Sequence, residues 1–314
     1  MENQEIDPVV AEVAEELRLD SRETAYFARE FETIKAQTYN VEYPALKARS
    51  LIPVSHDGDP TDEKITYRQW DRVGMAQIVA HWADDLPHVE VFGKEFSRDV
   101  VEIGDAYGYS KNELAKSAKL GRSLPTMKAE AAREFIERRI DDIAAFGIPQ
   151  KNVPGLLNHP NVPALTLPTG TWASASAENI LADMNYMVTQ IVTSTKQTEF
   201  PDTMLLPTDL YLQISQKVAG NQLADTVLGI FLKTNPWIKT VDTWVKLDTA
   251  APDGGGMIVC YKMDPRVLQL EITKEFEQEP PQARNRGFEV QCIARLGGTV
   301  VRYPLALAVA FNAS

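Results

Sequence analysis

Cysteine is almost missing from this 314-residue chain, which holds only Cys260 and Cys292. Both lie inside apolar, strand-like runs, MIVCYKM and FEVQCIARL. That predicts buried, inert thiols in place of a disulfide or a metal site. Histidine is scarce as well, with His56, His81, His88 and His159 and no HxH or HExxH spacing among them. The densest group, His81 with Asp84, Asp85 and His88, falls in an expected loop tip, where solvated side chains are the simpler reading. No apolar run approaches the roughly 18 residues that cross a bilayer, so no membrane segment is expected. The opening MENQEIDPVVAEVAEEL has neither a basic start nor an apolar stretch. No secretory signal is expected from it, and the chain reads as one made and kept in a cytoplasm. Positive charge is in deficit, 32 Lys and Arg against 44 Asp and Glu, for a net charge of −12. A tight grip on a nucleic-acid backbone needs clustered cations and is not expected; weak, non-specific contact with DNA remains compatible.

Catalytic signatures are missing too. The run Gly254–Gly256 lacks the Lys-Ser/Thr of a phosphate loop and opens no expected helix, so it reads as a turn between strands. Ser174 and Ser176 have no GxSxG context. Asp141 and Asp142 fall on the charged face of an expected helix, where solvation is the default. The expectation is therefore no enzyme, with no catalytic residue, no cofactor and no metal ligand.

What is present is a sequence of parts. Val9, Val10, Val13 and Leu17 share one helical face opened by Asp7 and Pro8, and Tyr26, Phe27, Phe31 and Ile34 mark a second short helix. Two extended runs, Ile65 to Ala80 and Phe96 to Tyr109, flank a polar stretch from Trp82 to Gly93 and predict a long hairpin. Such a hairpin has little core of its own and needs something to lie against. A helix is predicted over 124–146, with Met127, Ala131, Phe135, Ile136, Ile140, Ile143 and Ala144 on one stripe and Gly147 and Pro149 ending it. A Pro- and Thr-rich connector over 153–175 leads to an α/β segment. Its expected helices lie at 180–192, 208–218 and 226–233, with a buried strand TMLLP and extended runs Ile238–Leu247 and Met257–Met263. The last 45 residues read mostly as strand.

This order of parts resembles the tailed-phage major capsid fold of the Hong Kong 97 type, an architecture shared with encapsulin shells. The segments VVEIGDAYGYSKNELAKSA, ITYRQWDRVGMAQIVAHWADDLPHVEV, LEITKEFEQEPPQ and ARLGGTVVRYPLALAVAF carry the resemblance. They look like a family of phage coat proteins once catalogued as a domain of unknown function. The resemblance implies an α+β fold with an N-terminal arm at 1–53, an extended hairpin (the E-loop) at 54–98 and a spine helix at 124–146. It implies a peripheral domain from 99–160 and 265–314, and a central domain from 161–264. It implies a shell subunit that self-assembles in the host cytoplasm, as hexamers and pentamers, into the icosahedral head around a double-stranded DNA genome. Portal protein, and scaffolding or decoration proteins, would be its partners, with no membrane. Tyr67, Trp70 and Trp82 could bind a base or a sugar, but a subunit interface is the stronger reading. The expected interface residues are Phe27, Phe31, Tyr67, Trp70, Trp82, Val89 and Phe92. An encapsulin-like compartment and a soluble α/β enzyme built on 160–265 are the alternatives.

Overall fold

A computed structural model describes residues 43–75, 88–119, 124–219, 225–285 and 287–312. The chain divides into two units, 1–44 and 45–314, and all of the described helices and strands lie in the second. The two short helices expected before residue 40 lie outside the described residues.

In chain order the unit opens with α1 (Ala48–Leu51) and β1 (Val54–Ser55), then β2 (Lys64–Val73), β3 (Glu90–Asp99) and β4 (Val101–Ser110). Helices α2 (Lys111–Lys119) and α3 (Leu124–Phe146) come next, then the short strands β5 (Gly147–Ile148), β6 (Val153–Pro154) and β7 (Ala164–Leu165). The next stretch is α4 (Ala177–Ser194), β8 (Thr203–Leu206), α5 (Thr208–Gln216), α6 (Val227–Thr234), β9 (Thr240–Thr243) and β10 (Gly256–Tyr261). Strands β11 (Leu268–Gln278), β12 (Gln282–Arg284), β13 (Gly287–Val301) and β14 (Leu307–Asn312) complete it.

Two sheets carry the body. In the first, the 15-residue β13 is the axis: β4 pairs along Gly287–Leu296, β11 pairs along Cys292–Val301, and β1 adds in parallel to β11. Helix α3 lies on this sheet. Its Ala132, Ile136, Ile140, Ile143, Ala144 and Ala145 are buried, and at about 1.5 Å per residue it is a rod of roughly 35 Å. The helix stops at Gly147, whose φ of +64° suits glycine and where a Cβ would sit 2.1 Å from the Val153 carbonyl oxygen. The second sheet has the order β7-β14-β10-β8-β9, with helices α4, α5 and α6 contributing to the same core. All of β8 and nearly all of β10 are buried, the unbroken apolar run expected of strands covered on both faces. Helix α4 is capped by Ser176, whose Oγ accepts from the Asn179 N–H, and α6 by Thr226, which accepts from Gly229. Cys260 and Cys292 are both buried and free.

Several expectations need correction. The run Phe96–Tyr109 is not one strand. It breaks at Val100, leaving β3 with the hairpin while β4 joins the first sheet. Strand β2 ends at Val73, residues 76–80 of the expected run lie outside the described residues, and Glu90–Gly93 belong to β3 and not to a turn. The spine stripe is narrower than its periodicity suggests: Met127 and Phe135 are more than half exposed, because the sheet beneath covers only part of the rod. Asp141 is buried, not solvated. It accepts a 2.8 Å hydrogen bond from the Ala48 N–H, so the carboxylate fastens α1 to the spine. The run 238–247 is strand only over β9, after which a 3-10 turn at Val245–Leu247 follows the buried Trp244. Residues 307–312, expected among the peripheral strands, hydrogen-bond to β10 in the second sheet.

Candidate assembly surface

Strands β2 and β3 form a two-stranded sheet of their own, in register from Lys64 opposite Asp99 to Val73 opposite Glu90. Period-two alternation sorts the hairpin into two faces. One carries Tyr67, Phe96, Lys94, Phe92 and Val73. The other carries Arg68, Glu95, Trp70, Val91 and the close approach of Val89 to Gly74. Gly93 leaves room for the indole of Trp70 to lie across it, since a Cβ there would sit 2.8 Å from the ring.

The root of the hairpin is tied to the body. The Val100 N–H donates to Glu63 O at 2.8 Å, and Arg295 Nη2 donates to Asp62 O at 3.1 Å. Tyr67 stacks on Phe96 with ring centroids 5.1 Å apart, and the Arg302 guanidinium lies 5.7 Å from its ring. Burial accordingly raises the Tyr67 phenol above its ordinary value, with Arg98 and Arg302 opposing the rise. Beyond the root the hairpin is bare. Trp70 is 63% exposed, Val89 71% and Phe92 55%, and Val73, Met75 and Val91 are also mostly exposed.

The expected interface residues are thus divided. Trp70, Val89 and Phe92 are solvent-facing, on both faces of the strand pair. Tyr67 is half-buried at the root and spends its ring on its own chain. Phe27, Phe31 and Trp82 lie outside the described residues. Val73, Met75 and Val91 are exposed beside Trp70, Val89 and Phe92 and were not among the expected residues, although their place in the same extended stretch was a usable signal.

No helix among the described residues is long and apolar enough to cross a membrane, and no cluster of three or more metal-ligating side chains occurs among them. The profile of the family described as major capsid protein matches residues 74–310. The chain belongs to the major capsid protein family.

Solved capsid structures share its fold. The capsid of the Myoviridae phage XM1 superposes with a TM-score of 0.80 at 19% identity, covering 91% of this chain and 98% of that one. A chain of Mycobacterium phage Bobi gives 0.65 at 12% identity over 93% and 99%. The virus-like particle from Pyrococcus furiosus gives 0.53 at 11% identity over 83% and 90%. A comparison with curated protein sequences finds no match. The fold is the Hong Kong 97 type found in phage capsids, and the family makes this a shell-forming phage coat protein. That reading is favoured over an encapsulin-like compartment or an α/β enzyme, and the capsid family and fold are those of a structural protein.

Proposed function

We propose that the β2–β3 hairpin is the principal contact between neighbouring copies of this capsid protein, and that it closes pentamers and hexamers into an icosahedral head. The observation that carries this is the bare outer hairpin, with Trp70, Val73, Val89, Val91 and Phe92 exposed on two strands that lack cover among the described residues. Isolated two-stranded hairpins are marginal in water, and exposed apolar groups of this density mark a partner surface. Each large side chain buried on a neighbour contributes roughly 1.5–3 kcal/mol, repeated at every copy of the contact. Phe27, Phe31 and Trp82 are proposed to join it. The arm (1–53), the hairpin (54–98), the peripheral domain (99–160 and 265–314, apart from β14, which pairs in the sheet of β10) and the central domain (161–264) serve as modules of that assembly.

The shell implies the remaining roles. The head encloses double-stranded DNA, which an acidic chain touches weakly and lets slide during packaging. It is assembled in the host cytoplasm with a portal, and with scaffolding or decoration proteins. The combined variant Trp70→Ser, Val91→Ser and Phe92→Ser tests the hairpin assignment. The purified protein should unfold as cooperatively as the parent, and electron microscopy should find no closed particles. Particles at normal yield would reject the hairpin as the contact.

A further inference from the structure

The outer hairpin is small for a stable contact. Strands β2 and β3 hold 10 residues each, and at the root their side chains face their own chain. A stable contact between proteins buries roughly 800 Å² on each side and engages about 20–30 residues there. The surface that a second copy covers has to continue beyond the hairpin.

It continues onto the body. A groove of about 670 Å³ is lined by Arg68, Trp70 and Asp71 of the hairpin and by Arg266, Arg302 and Tyr303 of the body. Tyr303 is exposed, with the Arg266 guanidinium 5.6 Å from its ring centroid, and Leu305 is exposed just beyond it. Arg266 Nη2 also lies 2.5 Å from Glu199, whose chain neighbour Phe200 stacks on Trp237 with ring centroids 5.0 Å apart.

These side chains share one end of the second sheet. Leu307 of β14 pairs with Tyr261 of β10, Tyr261 with Thr203 of β8, and Thr203 with Thr240 of β9. The chain on the near side of each of those residues therefore emerges at the same edge, carrying Leu305, Met263, Phe200 and Trp237. Asp202 ties the edge together: its carbonyl accepts from the Lys239 N–H at 2.8 Å and its carboxylate from the Met263 N–H at 2.7 Å. Trp237 and Met263 are both exposed. Aromatic side chains, Met and Arg are the types enriched where proteins meet. The Trp237 ring is already stacked on its own chain, so little side-chain freedom is lost when a partner covers it.

The family supplies the occupant, because the neighbours of a shell subunit are copies of itself. A copy seated against the outer hairpin also reaches the sheet end, since Arg266 and Tyr303 belong to the groove and to the edge alike. We propose that the sheet end bearing Phe200, Trp237, Met263, Tyr303 and Leu305 is the second half of the hairpin contact, covered by the same second copy of this chain.

The inference rests on the hairpin being a contact between copies and adds the rest of its footprint. Peroxide oxidises exposed methionine sulfur. Peptide mass spectrometry should find Met263 oxidised severalfold more slowly in closed particles than in the free subunit. High-resolution electron microscopy of the particles should show side chains of a second copy against Trp237. The double variant Trp237→Ser, Met263→Ser should cut the yield of closed particles severalfold while subunit melting stays as in the parent. If it lowers subunit melting instead, the oxidation rate and the density decide. Equal oxidation of Met263 in both forms would overturn the proposal, as would a Trp237 that is bare or covered by a different protein. If the triple hairpin variant fails to close while the double variant closes normally, the hairpin reading stands and this inference falls. If the triple variant closes normally, both fall, since the sheet end then extends no hairpin contact.

Discussion

The hairpin and the body are built from the same kinds of residue and bury them oppositely. In β10, Ile258, Val259 and Cys260 are wholly covered, because β8 and β14 flank the strand and residues of two core clusters pack on its two faces. In β3, Val91 and Phe92 are more than half exposed, although β2 pairs the strand along its whole length on one edge. Backbone pairing and side-chain burial are therefore separate achievements. A strand pair can form its ladder and still lack a core, and under the proposed assembly a neighbouring copy would supply the cover. The two regions meet at the root, where Tyr67 and Phe96 stack and a recess opens.

The contrast is tested most severely by shortening one buried and one exposed aliphatic. Ile143 is fully buried between the spine and β13, where its Cγ2 lies 3.8 Å from the Cβ position of Gly298. Ile143→Ala should cost about 2–5 kcal/mol in chemical denaturation of the purified subunit. Val91→Ala in the hairpin should cost under about 0.5 kcal/mol by the same measurement. Equal losses would mean that the hairpin belongs to the folding core.

A smaller effect is expected at Asp141, where the body holds a buried carboxylate that the hairpin has no counterpart for. Burial raises its pKa, opposed first by the hydrogen bond from the Ala48 N–H and then by Lys246, 3.9 Å away. Asp141→Ala should cost about 1–3 kcal/mol, since the Ala48 donor is left buried without an acceptor. Asp141→Asn keeps an acceptor and should cost less than half as much. If both substitutions cost the same, the carboxylate's charge and not its hydrogen bond is what holds α1.

The smallest effect concerns the surface network that ties α1 to the spine and to β11. Arg49 donates to Glu137 at 2.9 Å and to both oxygens of Glu275 at 2.8 Å. That hydrogen bonding holds the Glu275 carboxyl below its ordinary value of 4.5. A depressed folded pKa contributes stability that is present above the unfolded value and lost as pH falls through the folded one. Arg49→Gln should therefore cost on the order of 1 kcal/mol at pH 7. The gap from the parent should close below about pH 4.5, as both forms protonate Glu275. A gap that persists unchanged at pH 3 would assign the effect to packing of the arginine stem.

Much of the element list was legible from residue order. The spine helix falls at 124–146 because its apolar repeat, its leading Pro125 and its Gly147 stop are local signals. Helices α4 to α6 and strand β8 were readable for the same reason. The candidate surface was legible in part. The apolar and aromatic content of the outer hairpin pointed to Trp70, Val89 and Phe92, but the alternation of residues 65–73, which puts Tyr67 and Trp70 on opposite faces, does not say which face meets the body at the root.

Residue order was enough to set the segments, their periodicity and the family resemblance, because propensity, capping and turn chemistry act over a few residues. Only the folded chain settles that the run Phe96–Tyr109 divides between two sheets. It also settles that Asp141 is buried beneath Ala48 while Met127 and Phe135 on the same rod face water. His159 and Arg98, far apart in the chain, share one recess for the same reason. Burial and charge pairing are set by groups distant in the chain, and no local pattern of residues encodes which of them will arrive.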